Sequence, residues 1–278
     1  MGIIDQVEMQ SLKDCRVLIK GAGDLATGVA WRLWRAGFPV VMTELAQPLA
    51  LRRRVAFAEA VYTGEAMVEG ITARRVQGPS AVLEAWAQGV IPVVVGDAMP
   101  LYELLNPEVV VDATMAKQNR GTRLDEAPLV IGLGPGYTVD VDVRVVIETN
   151  RGHYLGRALW SGSAQADSGT PGIIAGVERE RVVRAPAPGV FTGCCQIGDR
   201  VRVGDTLGWV EKIPVSAPLS GVLRGLIHDG VRVDQGLKIG DIDPRGEVNY
   251  CYTISEKSLA IGGGVLEAIL VHLQTTEG

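Results

Sequence analysis

The sequence predicts an α/β fold: a parallel sheet with helices on both faces, then a small all-β unit and a closing helix. Three observations carry this. Continuous apolar, β-branched runs alternate with amphipathic segments through the first half. A gapless internal repeat occupies residues 185–240. Apolar residues recur at helical spacing from Leu259 to Leu273. At 278 residues the chain exceeds the roughly 100–200 of one domain. The divisions read from it are 1–150 for the sheet, 151–183 for a junction, 184–246 for the β unit, and 247–278 for a last strand and helix.

The elements follow in order. Residues 16–20 (RVLIK) read as a buried strand, and Asp24 to Ala36 as a helix stopped by Gly37. Pro39 to Glu44 is a second strand. Residues 71–76 form a short strand, Pro79 to Gln88 a helix opened by its proline, and Ile91 to Val95 a strand. Leu101 to Leu105 is a short helix ended by Asn106-Pro107. Strands follow at 109–112, 129–133 and 141–148. Right-handed crossovers between such strands give a doubly wound, Rossmann-like parallel sheet domain.

That setting gives meaning to Gly21, Gly23 and Ala26, a G-x-G-x-x-A turn between strand and helix. The first glycine permits the turn and the second lets backbone amides approach a pyrophosphate. The small third residue allows close helix–strand packing. A helix N-terminus adds orphan N–H donors and positive partial charge. Glu44, about twenty residues on at a strand end, stands where a carboxylate accepts ribose hydroxyls. Asp24 would repel phosphate if it pointed inward; it could instead cap the helix. These residues point to a nucleotide or dinucleotide such as NAD(P). The plain alternative is a tight turn beside a solvated acid.

Other polar residues fall at strand ends. Asp112 and Lys117 could contact a ligand or move a proton, or Asp112 could cap a helix. Gly134 and Gly136 sit in a second glycine-rich turn that could line the same crevice or form an ordinary loop. Arg52 to Arg54 could reach a phosphate beyond Glu44, but read better as an exposed helix face. His153, with Arg151 and Arg157, could clamp an anion at the junction or act as acid or base, or the stretch could be a hydrogen-bonded linker. The run from Asp167 to Gly172 would be a polar loop beside it.

The repeat reads APAPGVFTGCCQIGDRVRVGDTLG at 185–208 and APLSGVLRGLIHDGVRVDQGLKIG at 217–240. Its short alternating segments, punctuated by glycine, predict an antiparallel β unit with quasi-two-fold symmetry. It resembles the barrel-sandwich hybrid of biotinyl and lipoyl carriers, whose halves begin with a similar A-P-x-x-G-x-V. The link at 209–216 carries Lys212 but no Met-Lys pair, so no biotin or lipoate is expected and a noncarrying module is. In the last segment, Val248 to Ile254 reads as a strand. Gly262-Gly263-Gly264 costs a helix about 3 kcal/mol against alanine, so a break or a close backbone contact is expected there.

Composition bounds the function. A net charge of −5 and no long basic block argue against nucleic-acid or anionic-membrane binding. The first fourteen residues lack a signal-peptide core, and no apolar run reaches the ~18 residues of a membrane span. Four cysteines without a CxxC pair fit a reducing, cytoplasmic compartment. Three histidines nearly exclude a His-rich metal site. A Cys194, Cys195, Cys251 thiolate site is conceivable, but buried apolar thiols and no metal are expected.

Taken together, "GAGDLATGVAWRLWRAGF", "VVMTELAQPLALRR", "VVDATMAK", "GLGPGYT", "ETNRGHYLGR" and "AIGGGVLEAIL" resemble the selenium-dependent molybdenum hydroxylase accessory protein family over nearly the whole chain. The glycine turn is also similar to that of xanthine dehydrogenase accessory factors, which have "GAGH" where this chain has Asp24. The resemblance implies a maturation factor that binds NAD(P) or a molybdopterin dinucleotide and partners a molybdenum hydroxylase subunit. An oligomer is compatible with it, and whether the chain catalyses a reaction stays open. An NAD(P)-dependent oxidoreductase is the second reading, although no Tyr-x-x-x-Lys or His–Asp pairing stands out. A scaffold or carrier is the third.

Overall fold

In the computed structural model the structure describes residues 12–96, 98–166, 176–177 and 180–276. The run from Asp167 to Gly172 and residues 1–11 lie outside these. The helices are α1 (Asp24–Arg35), α2 (Ala60–Thr63), α3 (Pro79–Ala87), α4 (Met99–Leu105) and α5 (Glu256–Thr276). The strands of the first half are β1 (Val17–Lys20), β2 (Val40–Glu44), β3 (Glu65–Val68), β4 (Ile71–Val76), β5 (Ile91–Val95), β6 (Val109–Asp112), β7 (Leu129–Leu133), β8 (Val145–Ile147) and β9 (Ala158–Leu159).

These nine strands form one sheet in the order β3-β4-β5-β2-β1-β6-β7-β8-β9. The strands are buried on both faces because their residues alternate between two cores. Val17 and Ile19 face α1 and α5, whereas Leu18 faces α3 and α4. The central pairs are parallel, with Leu18 beside Val41 on one side and Val110 on the other.

The expected Rossmann-like domain followed by a small barrel-sandwich-hybrid-like domain is corrected here. The sheet is mixed: β3 runs antiparallel to β4 at one edge and β9 antiparallel to β8 at the other. Nor does the β unit stand apart as a small barrel. Its strands are β10 (Val182–Arg184), β11 (Gly189–Gly193), β12 (Arg200–Val201), β13 (Thr206–Val210), β14 (Ile213–Ser216), β15 (Gly221–Leu226), β16 (Arg232–Val233) and β17 (Lys238–Asp243). They form two antiparallel sheets, β10-β17-β15-β12 and β14-β13-β11-β16. Each sheet draws on both repeat units, and exchanging each strand for its counterpart converts one order into the other. Neither unit has a core of its own, so Phe191 and Leu207 of the first pack with Leu223 and Ile239 of the second.

The β sheets are bound to the first half. The Leu226 N–H donates to the Leu51 carbonyl, 2.9 Å away, and Arg53 Nε donates to the Leu226 carbonyl at 2.8 Å. Tyr62 stacks on His228 with ring centroids 3.8 Å apart. Arg52 to Arg54 therefore do not form an exposed helix face: Arg52 and Arg53 are half-buried at this contact, and 53–55 is a 3-10 turn.

The expected last strand is also corrected, since Val248–Cys251 is a 3-10 turn. The three glycines do not break α5, and two of them meet neighbouring backbone. A Cβ at Gly262 would lie 2.8 Å from the Gly28 carbonyl oxygen of α1. At Gly28 it would lie 2.6 Å from the Ser258 Cβ, and at Gly264 it would overlap the Gly156 carbonyl. By length and composition α5 is the one helix among the described residues apolar enough to span a bilayer. In this compact globular body, however, its Ile261, Val265, Ala268 and Ile269 are core residues beneath α1.

The seam gives a paired prediction. Gly264→Ala should destabilise the protein by about 1–3 kcal/mol through overpacking. Gly263→Ala, with nothing within 4 Å of the added carbon, should stabilise it by about 1 kcal/mol. Denaturant unfolding reads both, and equal effects would show that the close approach is not constraining.

Candidate ligand site at the strand ends

Parallel pairing sets the carboxyl ends of β1, β2, β4 and β5 along one rim of the sheet. Gly21 follows β1 with φ +95°, which favours glycine, and its N–H donates to the Thr43 carbonyl at 2.8 Å. Gly23 is the N-cap of α1, and no side chain caps the helix there. A Cβ on Gly23 would meet nothing within 4 Å, so open space lies over the first turn. Ala26, nearly fully buried, fills the close helix–strand contact.

The acids are placed differently from a free ribose acceptor and an inward repeller. Glu44 turns back onto the glycine turn: one oxygen accepts the Ala22 N–H at 2.8 Å and the other the Leu45 N–H at 2.7 Å. One amide of the turn is thus already satisfied. Asp24 does not cap the helix. It lies in the first turn of α1 and pairs with Arg52 at 3.2 Å, which neutralises it. Arg52 then reaches the carbonyls of Tyr250 and Thr253, joining the start of α1 to the segment after the β sheets.

Beside Glu44 opens a cavity of about 450 Å³. Ala46, Val61, Val76, Val94 and Val95 supply apolar walls and Arg75 a polar one. The volume lies within the roughly 300–1,000 Å³ usual for small-molecule sites. Next to it the Tyr62 phenol is pushed up to about 12, by burial first and then by Glu59, with Arg53 opposing.

The remaining predicted residues do not converge on this rim pocket. Asp112 is buried at the end of β6, where Thr114 and Thr122 hydroxyls donate to it. Lys117 follows in the next loop with φ +62°. A Cβ at Gly134 would overlap the Thr149 hydroxyl, and one at Gly136 would come within 2.9 Å of the Lys117–Gln118 backbone. These two glycines therefore permit close packing. His153 is exposed, edge-on to Tyr154; Arg157 lies over Tyr154, and Arg151 pairs with Glu256. The expected anion clamp is not assembled.

Two features escaped the sequence. Lys20 reaches Glu126 at 2.6 Å and Thr122 at 2.8 Å, and Tyr102 donates to the same Glu126. Partners a hundred residues apart leave no local signal. In the β sheets, Arg224 and Arg245 face Asp243, while Arg181 and Lys238 face Asp241. A strand pattern reads these charges as solvated, whereas Asp243 and Arg224 are buried. Cys251 is buried too, and no group of three or more His, Cys, Asp or Glu that could hold a metal occurs among the described residues.

No family model matches the chain. It is 50% identical over 255 residues to the uncharacterized protein YqeB of Escherichia coli (strain K12). The match covers 92% of this chain and 47% of YqeB, so the chain spans about half the length of that curated relative. Among solved structures, a succinylglutamate desuccinylase/aspartoacylase from Rhodobacter sphaeroides matches at 21% identity and TM-score 0.22, covering 29% of this chain and 28% of that one. An aspartoacylase family protein from Mesorhizobium loti matches at 11% identity and TM-score 0.21, over 81% and 51% of the two chains. Overlaps this small carry no argument about fold or activity. None of these proteins is described as a molybdenum hydroxylase accessory factor. The expectation of a Rossmann nucleotide-binding fold is withdrawn by the mixed sheet, and these comparisons give molybdenum hydroxylase maturation no support.

The buried ion pairs give a pH prediction. Burial alone would raise the Asp243 pKa, but two hydrogen bonds from the Arg245 guanidinium and the nearby Arg224 charge hold it below the usual carboxylate range. A carboxyl with a lower pKa folded than unfolded adds stability that is present above about pH 4 and lost as pH falls through the folded value. Arg245→Ala should therefore move the acid-unfolding midpoint to higher pH. An unmoved midpoint would show that this pair contributes nothing.

Proposed function

We propose that the chain is a binding protein for a nucleoside-containing small molecule held at the rim of the sheet. The observation that carries this is the 450 Å³ cavity of mixed polar and apolar lining that opens at Ala46 and Val95, the strand neighbour of Glu44, on the same rim as the open N-cap Gly23. The cavity suits a flat base. Glu44, released from the Ala22 amide, accepts vicinal ribose hydroxyls. The uncapped first turn of α1 donates to phosphate, and Arg52 removes the repulsion of Asp24. Dinucleotides of the NAD(P) or molybdopterin type have all three groups. Glu44 disfavours a 2′-phosphate, so NAD binds better than NADP in this reading. The four unpaired thiols suit a cytoplasmic location.

Thermal unfolding with NAD, NADP, ADP-ribose and AMP tests the reading. Ligand at a hundredfold excess over its dissociation constant should stabilise the fold by about 2.7 kcal/mol. Ala46→Trp, placed at the exposed mouth of the cavity, should abolish that gain and leave the ligand-free transition unchanged. Gly23→Ala fits sterically and should weaken phosphate-bearing ligands about tenfold, equivalent to about 1.4 kcal/mol. No stabilisation by any of the four, or an equal gain in Ala46→Trp, would refute the proposal.

A further inference from the structure

Cys194 and Cys195 lie in the bend that follows β11. Both thiols point at one acceptor, the Thr206 carbonyl, with sulfur–oxygen distances of 3.2 and 3.4 Å. Two sulfurs sharing one oxygen lie side by side on the same side of the chain. Cys194 is exposed and Cys195 half-buried. The duplication supplies an internal comparison, because the aligned residues in the second unit are Leu226 and Ile227, 1% and 0% exposed. That second bend is covered by the first half of the chain through Leu51 and Arg53. This position in the repeat therefore asks for apolar filling beneath a cover. The first unit instead carries two thiols there, one of them open to water.

We propose that Cys194 and Cys195 form a bidentate dithiol site for a soft, thiophilic ion of the monovalent copper or trivalent arsenic class. Thiolate ligands select soft centres over magnesium or calcium. The exchange is not a redox step. Each S–H gives up its proton as one sulfur–metal bond forms, so monovalent copper releases two protons. An aryl arsenoxide loses its oxygen as water, made from those two protons, and gains two arsenic–sulfur bonds. Burial, then the adjacent Cys194 thiol and the Asp199 and Asp205 charges, push the Cys195 thiol up to about 11. Cys195 therefore keeps its proton at neutral pH until a soft ion displaces it. The site lies in the β sheets and does not depend on the rim cavity.

Intact-mass analysis of the whole protein with equimolar phenylarsine oxide tests the site, followed by digestion to locate the adduct. One adduct per chain is expected on the peptide holding Cys194 and Cys195, resistant to a monothiol and released by a dithiol. Cys194→Ser and Cys195→Ser should each lose it, and each should lose the one-to-one copper(I) binding that the wild type shows in competition with a chromophoric chelator. Digestion of the wild-type adduct gives the location without any variant, should a serine variant fail to fold. One-to-one binding of either probe through both sulfurs supports the proposal. No adduct, an adduct on Cys15 or Cys251, or an undiminished adduct in the double serine variant overturns it.

Discussion

The close approach of α1 and α5 is the contact on which the rest depends. Neither Gly28 nor Gly262 has a side chain to hold the helices apart, so the Gly28 carbonyl lies against the Gly262 backbone and the Ser258 side chain against Gly28. The helix that completes one cover of the mixed sheet is the last element of the chain. The two antiparallel sheets are thus inserted between the sheet and its cover. Docking α5 fixes the chain where it leaves that insertion, and Leu51–Arg53 fixes its flank. Helix propensity alone would not favour glycine here; at Gly262 and Gly264 tertiary packing does, because neighbouring backbone takes the place of the missing side chains, whereas nothing meets Gly263.

Electrostatics at the start of α1 follow from the same arrangement. Asp24 sits where a helix N-terminus favours negative charge, and Arg52 comes to it from the segment that touches the β sheets. That arginine also reaches the carbonyls of Tyr250 and Thr253, just ahead of α5. One cation therefore links the glycine turn, the β sheets and the approach to the covering helix. Glu44 occupies the Ala22 amide of the turn, and open space lies over Gly23 at the start of the helix.

Much of the local structure was legible in the sequence. β1, α1, β2, β5, β6 and β7 lie where β-branched runs and helical spacing put them, because such runs are buried on both faces. The repeat was legible because glycine positions recur in register. The edges were not. β3 and β9 are short, partly exposed strands that pair antiparallel, and their pairing depends on what lies next to them in space. Arg52 was misread as solvated because its partners lie 28 and about 200 residues away. Gly134 and Gly136 look by composition like a second glycine-rich turn that could line the crevice, yet Thr149 and the Lys117–Gln118 backbone take the space above them. Composition reports a glycine's freedom; only packing tells what occupies it.

The central claim is that the carboxyl rim of β1, β2, β4 and β5 is a ligand site. Backbone amide chemical shifts recorded through a titration with NAD test it most directly. The account predicts saturable shifts confined to four stretches, Ala22–Ala26, Glu44–Gln47, Val76–Gly78 and Val94–Val95, including movement of the Ala22 amide as Glu44 lets go. Saturable shifts elsewhere with these residues still, or none at millimolar ligand, would contradict it.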